Sequence, residues 1–171
     1  MRMFIASPVR ITPEIESLIN SLFNKENFRI IEPNNIHITY LFLGEVNENE
    51  SCYISGKLEK IIINKISARI CGISAFPGIN RPRVIVISLE SPHLNEVYNS
   101  IIDVLPEYKR NNTKFLPHIT IARVRKSSIR PDISGLYMDD ETLLIDEICL
   151  FKTNLTHDGA VYERIMCNKF L

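Results

Sequence analysis

Two stretches of this sequence share a pattern: residues 35–46 are NIHITYLFLGEV, and residues 117–124 are PHITIARV. Both are rich in apolar and β-branched residues, which is typical of β-strands. In each stretch a threonine follows a histidine two residues later, and side chains two residues apart point to the same face of a strand. Each predicted strand therefore presents an imidazole and a hydroxyl on one face: His37 with Thr39, and His118 with Thr120.

The repetition is informative because the chain has only four histidines and seven threonines among its 171 residues. Two His-x-Thr coincidences would arise by chance in about one of a hundred random shuffles, a crude figure for so short a motif. A single strand histidine is more often a core residue that is hydrogen-bonded to a neighbour, and threonine is common in strands for its β-propensity alone. The repeated pair favours a functional site.

Two imidazoles and two hydroxyls that meet across a groove suit phosphoryl transfer. That reaction needs a base to deprotonate water, an acid to protonate the leaving oxygen, and donors for the remaining phosphate oxygens. The unperturbed pKa of imidazole is about 6.5, so one copy can be neutral while the other is protonated near neutral pH. Neither role requires a metal ion.

A zinc site is the competing interpretation, with His37 and His118 joined by His93 or His157 as ligands. It is weaker, because the sequence has no His-x-x-x-His spacing and no cluster of carboxylates to support it. His93 follows Ser-Pro at a predicted helix start, and His157 precedes Asp-Gly at a predicted turn. Both are expected to be ordinary surface residues.

Strand and helix signals alternate outward from these two stretches. Strands are predicted at residues 3–7, 36–43, 66–73, 84–87 and 119–124, and residues 145–151 and 161–167 form a predicted closing hairpin. Helices are predicted at residues 12–23, 48–63 and 91–105. With one His-x-Thr strand in each half, a duplicated architecture is the economical interpretation. The pattern predicts an α+β or α/β fold and leaves the strand directions open.

The composition, 45% hydrophobic and 23% charged, is that of an ordinary globular protein, and we predict one domain over residues 1–171. A formal net charge of +0 argues against coating nucleic acid through bulk electrostatics. Residues 109–130 nevertheless form a basic stretch that contains no acidic residue. This stretch could contact a few phosphates or, equally, be an ordinary solvated surface. Its basic residues are Lys109, Arg110, Lys114, Arg123, Arg125, Lys126 and Arg130.

Two arginines of this stretch, Arg123 and Arg125, fall out of phase with His118 and Thr120. Regular alternation along a strand turns them away from the histidine face. They reach a substrate there only if the strand bulges or ends early.

The four cysteines form no Cys-x-x-Cys pair and lie in apolar surroundings, which indicates buried thiols rather than zinc ligands or disulfides. They are Cys52, Cys71, Cys149 and Cys167. This usage favours a reducing compartment. The N-terminal apolar stretch is too short for a signal peptide, and no run approaches the ~18 apolar residues of a membrane span. We therefore expect a cytoplasmic protein that does not engage a membrane.

Taken together, these residues resemble the two-histidine phosphoesterases, specifically the RNA 2′,3′-cyclic phosphodiesterase branch that is also called the 2′-5′ RNA ligase or LigT-like family. The resemblance covers nearly the whole chain. It implies an α+β, bilobal, duplicated fold in which two antiparallel-type sheets with flanking helices surround a central groove. Besides the two His-x-Thr stretches, its landmarks are RMFIA at 2–6, AFP at 75–77, RPRV at 81–84 and VYE at 161–163.

The resemblance also implies an activity, the hydrolysis of RNA 2′,3′-cyclic phosphate ends to 2′-phosphomonoesters without a metal or other cofactor. By motif position, His118 is similar to the base that activates water, and His37 to the acid that protonates the departing 3′ oxygen. Thr39 and Thr120 would hold the nonbridging phosphate oxygens.

Outside the motifs, two positions that often contact substrate in relatives differ in this sequence. The aromatics that relatives often carry near the first motif and after the Pro-Arg-Val segment are aliphatic here, at Ile31 and Val86. Base stacking is therefore expected from Phe76 or Tyr162, and Arg123 is a further candidate contact.

Two other functions remain open at this point. The same groove could join tRNA halves through a 2′-5′ linkage when a 5′-hydroxyl replaces water, although water at ~55 M usually wins that competition. Alternatively, the chain is a non-catalytic RNA-binding module that uses the basic stretch. The expected partner in each case is RNA, with a cyclic phosphate end or as tRNA fragments, and we expect a monomer.

Overall fold

The computed structural model describes residues 1–109, 114–126, 128–133, 141–157 and 159–171. Three α-helices lie within these ranges: α1 (Pro13–Leu22), α2 (Glu48–Leu58) and α3 (Pro92–Val104). The strands are β1 (Arg2–Pro8), β2 (Phe28–Ile30), β3 (His37–Glu45), β4 (Ile66–Phe76), β5 (Val84–Glu90), β6 (His118–Val124), β7 (Thr142–Ile145), β8 (Glu147–Thr156) and β9 (Gly159–Lys169).

Capping residues fix where the first two helices begin. The Thr12 side chain accepts the backbone N–H of Ile15, and the Asn47 side chain forms a reciprocal capping box with Glu50. The second helix ends at Leu58, five residues before the end that the sequence pattern predicts. Its apparent continuation is a loop in which Ile61 is buried by a tight turn, so the apolar period continues while the helix does not.

The strands form one antiparallel sheet in the order β7-β4-β5-β6-β3-β1-β8-β9, with β2 pairing to β6. This confirms the α+β class and resolves the strand directions. The nine strands divide into two parts, which we call the β6 lobe (β7-β4-β5-β6, with β2 added to β6) and the β3 lobe (β3-β1-β8-β9). Pairing between the lobes rests on Ile38 of β3 and Ile119 of β6. The first and last strands of the chain lie in the same lobe, so the lobes are not simply the two halves of the sequence.

One predicted strand is in fact two. Residues 145–151 were expected to be continuous, but β7 ends at Ile145 and β8 begins at Glu147. β7 pairs with β4 in the β6 lobe, whereas β8 pairs with β1 in the β3 lobe. The sequence hides this crossing at Asp146, because apolar residues precede it in β7 and follow it in β8 with no turn residue such as glycine or proline between them.

The two faces of the sheet differ. Ile38 and Ile119 belong to the main core, where they pack with helix residues such as Ile15, Ile54 and Leu94. Burying such a side chain contributes about 1.5–3 kcal/mol, so the two central strands are held firmly against the helices. The residues that alternate with these isoleucines point to the opposite side, which we call the open face. A second cluster, Phe4, Ala6, Cys149 and Phe151 with Tyr162 packed against it, lies in the β3 lobe.

The prediction of four buried thiols is wrong. Cys149 and Cys167 form a disulfide, whereas Cys52 and Cys71 are exposed. The disulfide joins residues that lie directly opposite each other in the β8–β9 hairpin, 4.1 Å apart at Cα. Their separation of 18 residues does not reveal this register, which depends on the hairpin turn. Among the described residues, no helix is both long and apolar enough to cross a membrane.

Candidate active site

The first His-x-Thr strand contains a β-bulge. β1 pairs with β3 in register from His37 to Thr39 and then skips Tyr40. A bulge of one residue reverses the alternation of side chains beyond it. The face that carries His37 and Thr39 therefore next carries Phe42, whose side chain is 63% exposed, while Tyr40 is buried in the core.

The second His-x-Thr strand contains the same bulge. β5 pairs with β6 through Thr120 and then with Ala122, so that Ile121 is skipped. Ile121 and Ala122 are both buried and Arg123 is exposed, which shows that the alternation of side chains is reversed after the bulge. Arg123 therefore lies on the same face as His118, although regular alternation predicts the other face. The condition under which we expected it to reach a substrate, a bulge, is met.

The bulges make the two strands equivalent beyond the motif itself. Each strand places a third side chain on the open face five residues after its histidine, Phe42 in β3 and Arg123 in β6. Phe42 was missed from the sequence, because a regular strand would have placed it with the core residues. A large aromatic side chain left 63% exposed on this face is the structural signal that identifies it.

The antiparallel pair Ile38–Ile119 sets the geometry between the motifs. In an antiparallel pair, the residue before Ile38 lies opposite the residue after Ile119, and the reverse holds on the other side. His37 therefore lies across from Thr120, and Thr39 lies across from His118. Each imidazole thus faces the hydroxyl of the other strand, and the four side chains occupy one patch of the open face. The structure brings together all four residues that the motif predicts.

Both imidazoles are held in the same way. The Nδ1 atom of His37 lies 2.6 Å from the carbonyl oxygen of Asn35, and that of His118 lies 2.7 Å from the carbonyl oxygen of Leu116. A carbonyl only accepts, so Nδ1–H donates in each ring. The free nitrogen is therefore Nε2 in both histidines. It can accept a proton when the ring is neutral and donate one when the ring is charged.

An aromatic edge also fixes each ring. Tyr162 meets His37 with ring centroids 5.2 Å apart at 86°, and Phe76 meets His118 at 5.0 Å and 89°. Edge-to-face packing of this kind is favourable at such distances. Phe4 packs on the first ring as well, at 5.1 Å. Tyr162 and Phe76, which we expected to contact bases, thus lie against the histidines.

The surroundings of His37 disfavour its charge. Burial lowers the pKa of His37 below its ordinary value of 6.5, the hydrogen bond to Asn35 opposes that effect, and electrostatic repulsion by Arg123, and by His118 when its ring is protonated, lowers the pKa further. His37 is accordingly neutral in the unliganded protein near neutral pH. The influence of Arg123 on this ring is a second indication that the arginine faces the site.

Replacing Arg123 with glutamine is expected to raise the pKa of His37. The substitution removes a positive charge that disfavours the protonated ring, so the protonated form gains stability and the titration moves to higher pH. NMR titration of the imidazole resonances measures the shift. Arg81→Gln, at an exposed position that does not influence His37, is the matched control. An unchanged titration in R123Q would contradict the placement of Arg123.

The remaining candidates do not join this cluster. Among the described residues, the one group of three potential metal ligands is Glu147, Cys149 and Cys167, which includes no histidine. His93 lies on α3, where it bonds Glu96 at 2.9 Å. The four histidines therefore do not converge on a zinc site.

Two further predictions concern the surroundings of the motifs. Val86 lies beside Thr120 and is buried, so no aromatic platform exists at that position. Of the basic stretch, Arg110 lies outside the described residues, and Arg123 is the member that faces the histidines.

Comparison with known families and proteins agrees with this geometry. A family model described as LigT-like phosphoesterase matches residues 5–86, which include the second half of β1, all of β3 and the first motif. A protein of Archaeoglobus fulgidus named RNA 2′,3′-cyclic phosphodiesterase is 30% identical over 170 residues, covering 95% of this chain and 97% of the relative. A protein of Methanocaldococcus jannaschii with the same name is 31% identical over 178 residues, covering 96% and 98%.

Solved structures match over the whole fold. A protein of Thermus thermophilus superimposes with a TM-score of 0.82 at 21% identity, covering 99% of this chain and 97% of that one. The Escherichia coli LigT structure in complex with 3′-AMP gives 0.77 at 20% identity, with 99% and 97% covered. At these identities the structural matches establish the fold.

Proposed function

This chain belongs to the LigT-like phosphoesterase family, and from that premise we propose that it hydrolyses RNA 2′,3′-cyclic phosphate ends to 2′-phosphomonoesters. The observation that carries the proposal is the pair of imidazoles held with Nε2 free on one face, each across from a threonine. Relatives that are 30% and 31% identical over most of the chain carry the name of this activity.

In the proposed mechanism, Nε2 of His118 takes a proton from water as the water attacks phosphorus. Nε2 of His37 gives a proton to the departing 3′ oxygen, which leaves the phosphate on the 2′ oxygen. The placement of the two rings on neighbouring strands supports two separate proton-transfer groups, because attack and departure occur on opposite sides of phosphorus, and the assignment of base and acid follows motif position in the family. Both rings then exchange protons with solvent and return to their starting states.

The lowered pKa of His37 is compatible with its role as the acid. A cyclic phosphate carries a negative charge, and an anion beside a ring favours the protonated form and raises its pKa. We propose that substrate binding itself charges His37. Protonation is thereby coupled to occupancy of the site.

Thr39 and Thr120 are proposed to donate hydrogen bonds to the nonbridging oxygens. Both hydroxyls lie on the histidine face and are partly accessible, as such contacts require. Because each lies across from a histidine in the register of the two strands, a phosphate held between the rings lies within reach of both.

Phe42 and Arg123 are proposed to hold the terminal base. An aromatic ring and a guanidinium plane both stack on nucleobases, and stacking does not depend on base identity. The two side chains occupy equivalent positions beyond the bulges, one on each lobe. Phe76 and Tyr162 would act mainly through the histidine rings they contact, with Tyr162 also close to the edge of the site.

The test is a short RNA that ends in a 2′,3′-cyclic phosphate, incubated with the purified protein and EDTA, with the phosphate position of the product resolved. We expect a 2′-phosphate. Activity that EDTA abolishes and zinc restores would replace this proposal with a metallohydrolase. Joined RNA in the presence of a 5′-hydroxyl RNA would favour ligation, and binding without any product would favour the non-catalytic module.

A further inference from the structure

A cleft adjoins the patch formed by the two histidines and two threonines. This cleft of about 690 Å³ lies between α1, β2 with the segment after it, and the tip of the β8–β9 hairpin. Ligand pockets typically measure about 300–1,000 Å³, so this cleft has room for more than solvent. Its charged lining residues are predominantly basic: Lys25, Arg29, Arg123 and Arg125, against Glu16 and Glu32.

Two of these arginines are placed against each other. Arg29 of β2 lies directly opposite Arg123 of β6, so both point to the same face. Like charges in directly opposed positions of a sheet are destabilising. Within the part of the chain that the structure describes, neither arginine forms an ion pair with an acidic side chain. Among the described residues, the pair thus meets no acidic partner, and two guanidinium groups on one face are suited to the phosphates of a ligand.

A glycine leaves space for the Arg29 side chain at the edge of the cleft. The guanidinium of Arg29 lies where a side chain on Gly159 would begin, so it packs directly over the backbone of this first residue of β9. Gly159 also has a φ of +118°, a conformation that other residues rarely adopt. On the other side, the guanidinium of Arg125 donates to the carbonyl oxygens of Lys25 and Phe28, which ties the segment before β2 to β6.

The cleft is continuous with the proposed catalytic patch. Three of its lining residues are Arg123, Tyr162, whose ring contacts His37, and Asn35, whose carbonyl holds the same histidine. A cyclic phosphate occupies the 3′ end of an RNA, so the rest of the chain leaves the terminal ribose only in the 5′ direction. A basic cleft that opens beside His37 offers that continuation a path.

Apolar side chains complete the lining. Ile11, Phe28, Ile31, Pro33 and Val161 contribute to the walls beside the cations. Single-stranded nucleic acid is bound by surfaces of this kind, because unpaired bases pack on apolar and aromatic side chains while basic side chains contact the connecting phosphates. A duplex would keep its bases stacked and unavailable to such walls.

We propose that this cleft binds the single-stranded nucleotides immediately upstream of the cyclic phosphate, with Arg29 and Lys25 contacting their phosphates. The inference rests on the proposed function and adds a substrate preference to it. An oligonucleotide end is the preferred substrate, and a nucleoside 2′,3′-cyclic phosphate, which lacks upstream phosphates, is a poorer one. The gain is expected mainly in KM, since these contacts lie away from the reacting atoms.

The experiment compares kcat/KM for a single-stranded tetranucleotide and for a nucleoside 2′,3′-cyclic phosphate with the same terminal base. We expect the wild-type protein to prefer the tetranucleotide by about tenfold or more, the amount that one charge-assisted hydrogen bond provides. The Lys25→Ala, Arg29→Gln double variant should lose most of that preference through the tetranucleotide alone. Lys60→Ala, which removes an exposed lysine outside the cleft, is the matched control.

Salt dependence and direct binding make the outcomes distinguishable. Each lost phosphate contact should reduce the slope of log affinity against log salt by about 0.7 for single-stranded RNA, so the double variant should reduce it by about 1.4. Equal efficiency on both substrates in the wild type, or an equal loss on both in the double variant, would overturn the cleft proposal. Binding of a labelled tetranucleotide with a 2′-phosphate end is measured separately. If neither substrate is hydrolysed, the proposed function fails, and the cleft is then judged by whether the double variant weakens this binding.

Discussion

His118→Ala and His37→Ala are each expected to lower kcat for cyclic phosphate hydrolysis by about 10²- to 10⁴-fold, the usual contribution of a positioned base or acid. His118→Ala removes the group that deprotonates water, and His37→Ala removes the group that protonates the leaving oxygen. Each ring projects from the first residue of a strand and is only partly buried, so the fold should survive the truncation. Single-turnover rates at saturating RNA measure the chemical step directly.

His93→Ala is the matched control, because His93 is an exposed histidine on α3 that bonds Glu96, away from the catalytic patch. It should leave kcat unchanged. The His37→Ala, His118→Ala double variant should be less impaired than the product of the single effects, since the two rings act in one step. RNA binding retained in both single variants, with a loss of turnover below tenfold, would contradict acid–base catalysis by these rings and favour the binding module.

The arrangement of the motif residues was predictable from the sequence, because it depends on local rules. Alternation in a strand puts His37 beside Thr39, and the same rule applies to His118 and Thr120. Apolar and β-branched composition likewise predicted β3 and β6 close to their observed limits. That the two motifs would meet at one central groove followed only from the resemblance to a known family, and the direct pairing of β3 with β6 was not predicted, since nothing in either stretch specifies its partner.

What the sequence could not supply depends on pairing between distant strands. A bulge exists only relative to the partner strand, so the skipped residues Tyr40 and Ile121 look regular in the sequence. Their consequence, that Phe42 and Arg123 share the histidine face, was therefore missed or reversed. β2 escaped prediction for the same reason, because three residues form a strand only through their pairing with β6.

The disulfide and the basic cleft are also products of register. Cys149 meets Cys167, and Arg29 meets Arg123, because each pair is directly opposed in an antiparallel ladder. A one-residue slip would send each side chain to the other face of the sheet. Each His-Thr pair is thus a local feature that the sequence predicts, whereas the residues around the two pairs are brought there by the tertiary structure.

Thr120→Val is expected to lower kcat by roughly 30- to 800-fold, or about 2 to 4 kcal/mol, the range found when one preorganised donor to developing charge is removed. Valine keeps the shape and β-propensity of threonine, so the strand and the adjacent Val86 contact should persist while the hydroxyl is removed. Thr39→Val should act similarly from the other strand, because each hydroxyl lies across from the opposite histidine.

The two substitutions distinguish transition-state stabilisation from simple phosphate binding. A donor whose hydrogen bond strengthens as charge develops lowers kcat when removed, whereas a donor that binds substrate and transition state equally raises KM alone. We therefore expect a loss of kcat with little change in KM, measured with the same oligonucleotide for both variants. Thr142→Val, in the edge strand β7, is the control for the substitution itself. A loss of less than tenfold at Thr39 or Thr120 would limit that residue to packing. The charge on the nonbridging oxygens would then have to be met by other donors on the open face, such as Arg123.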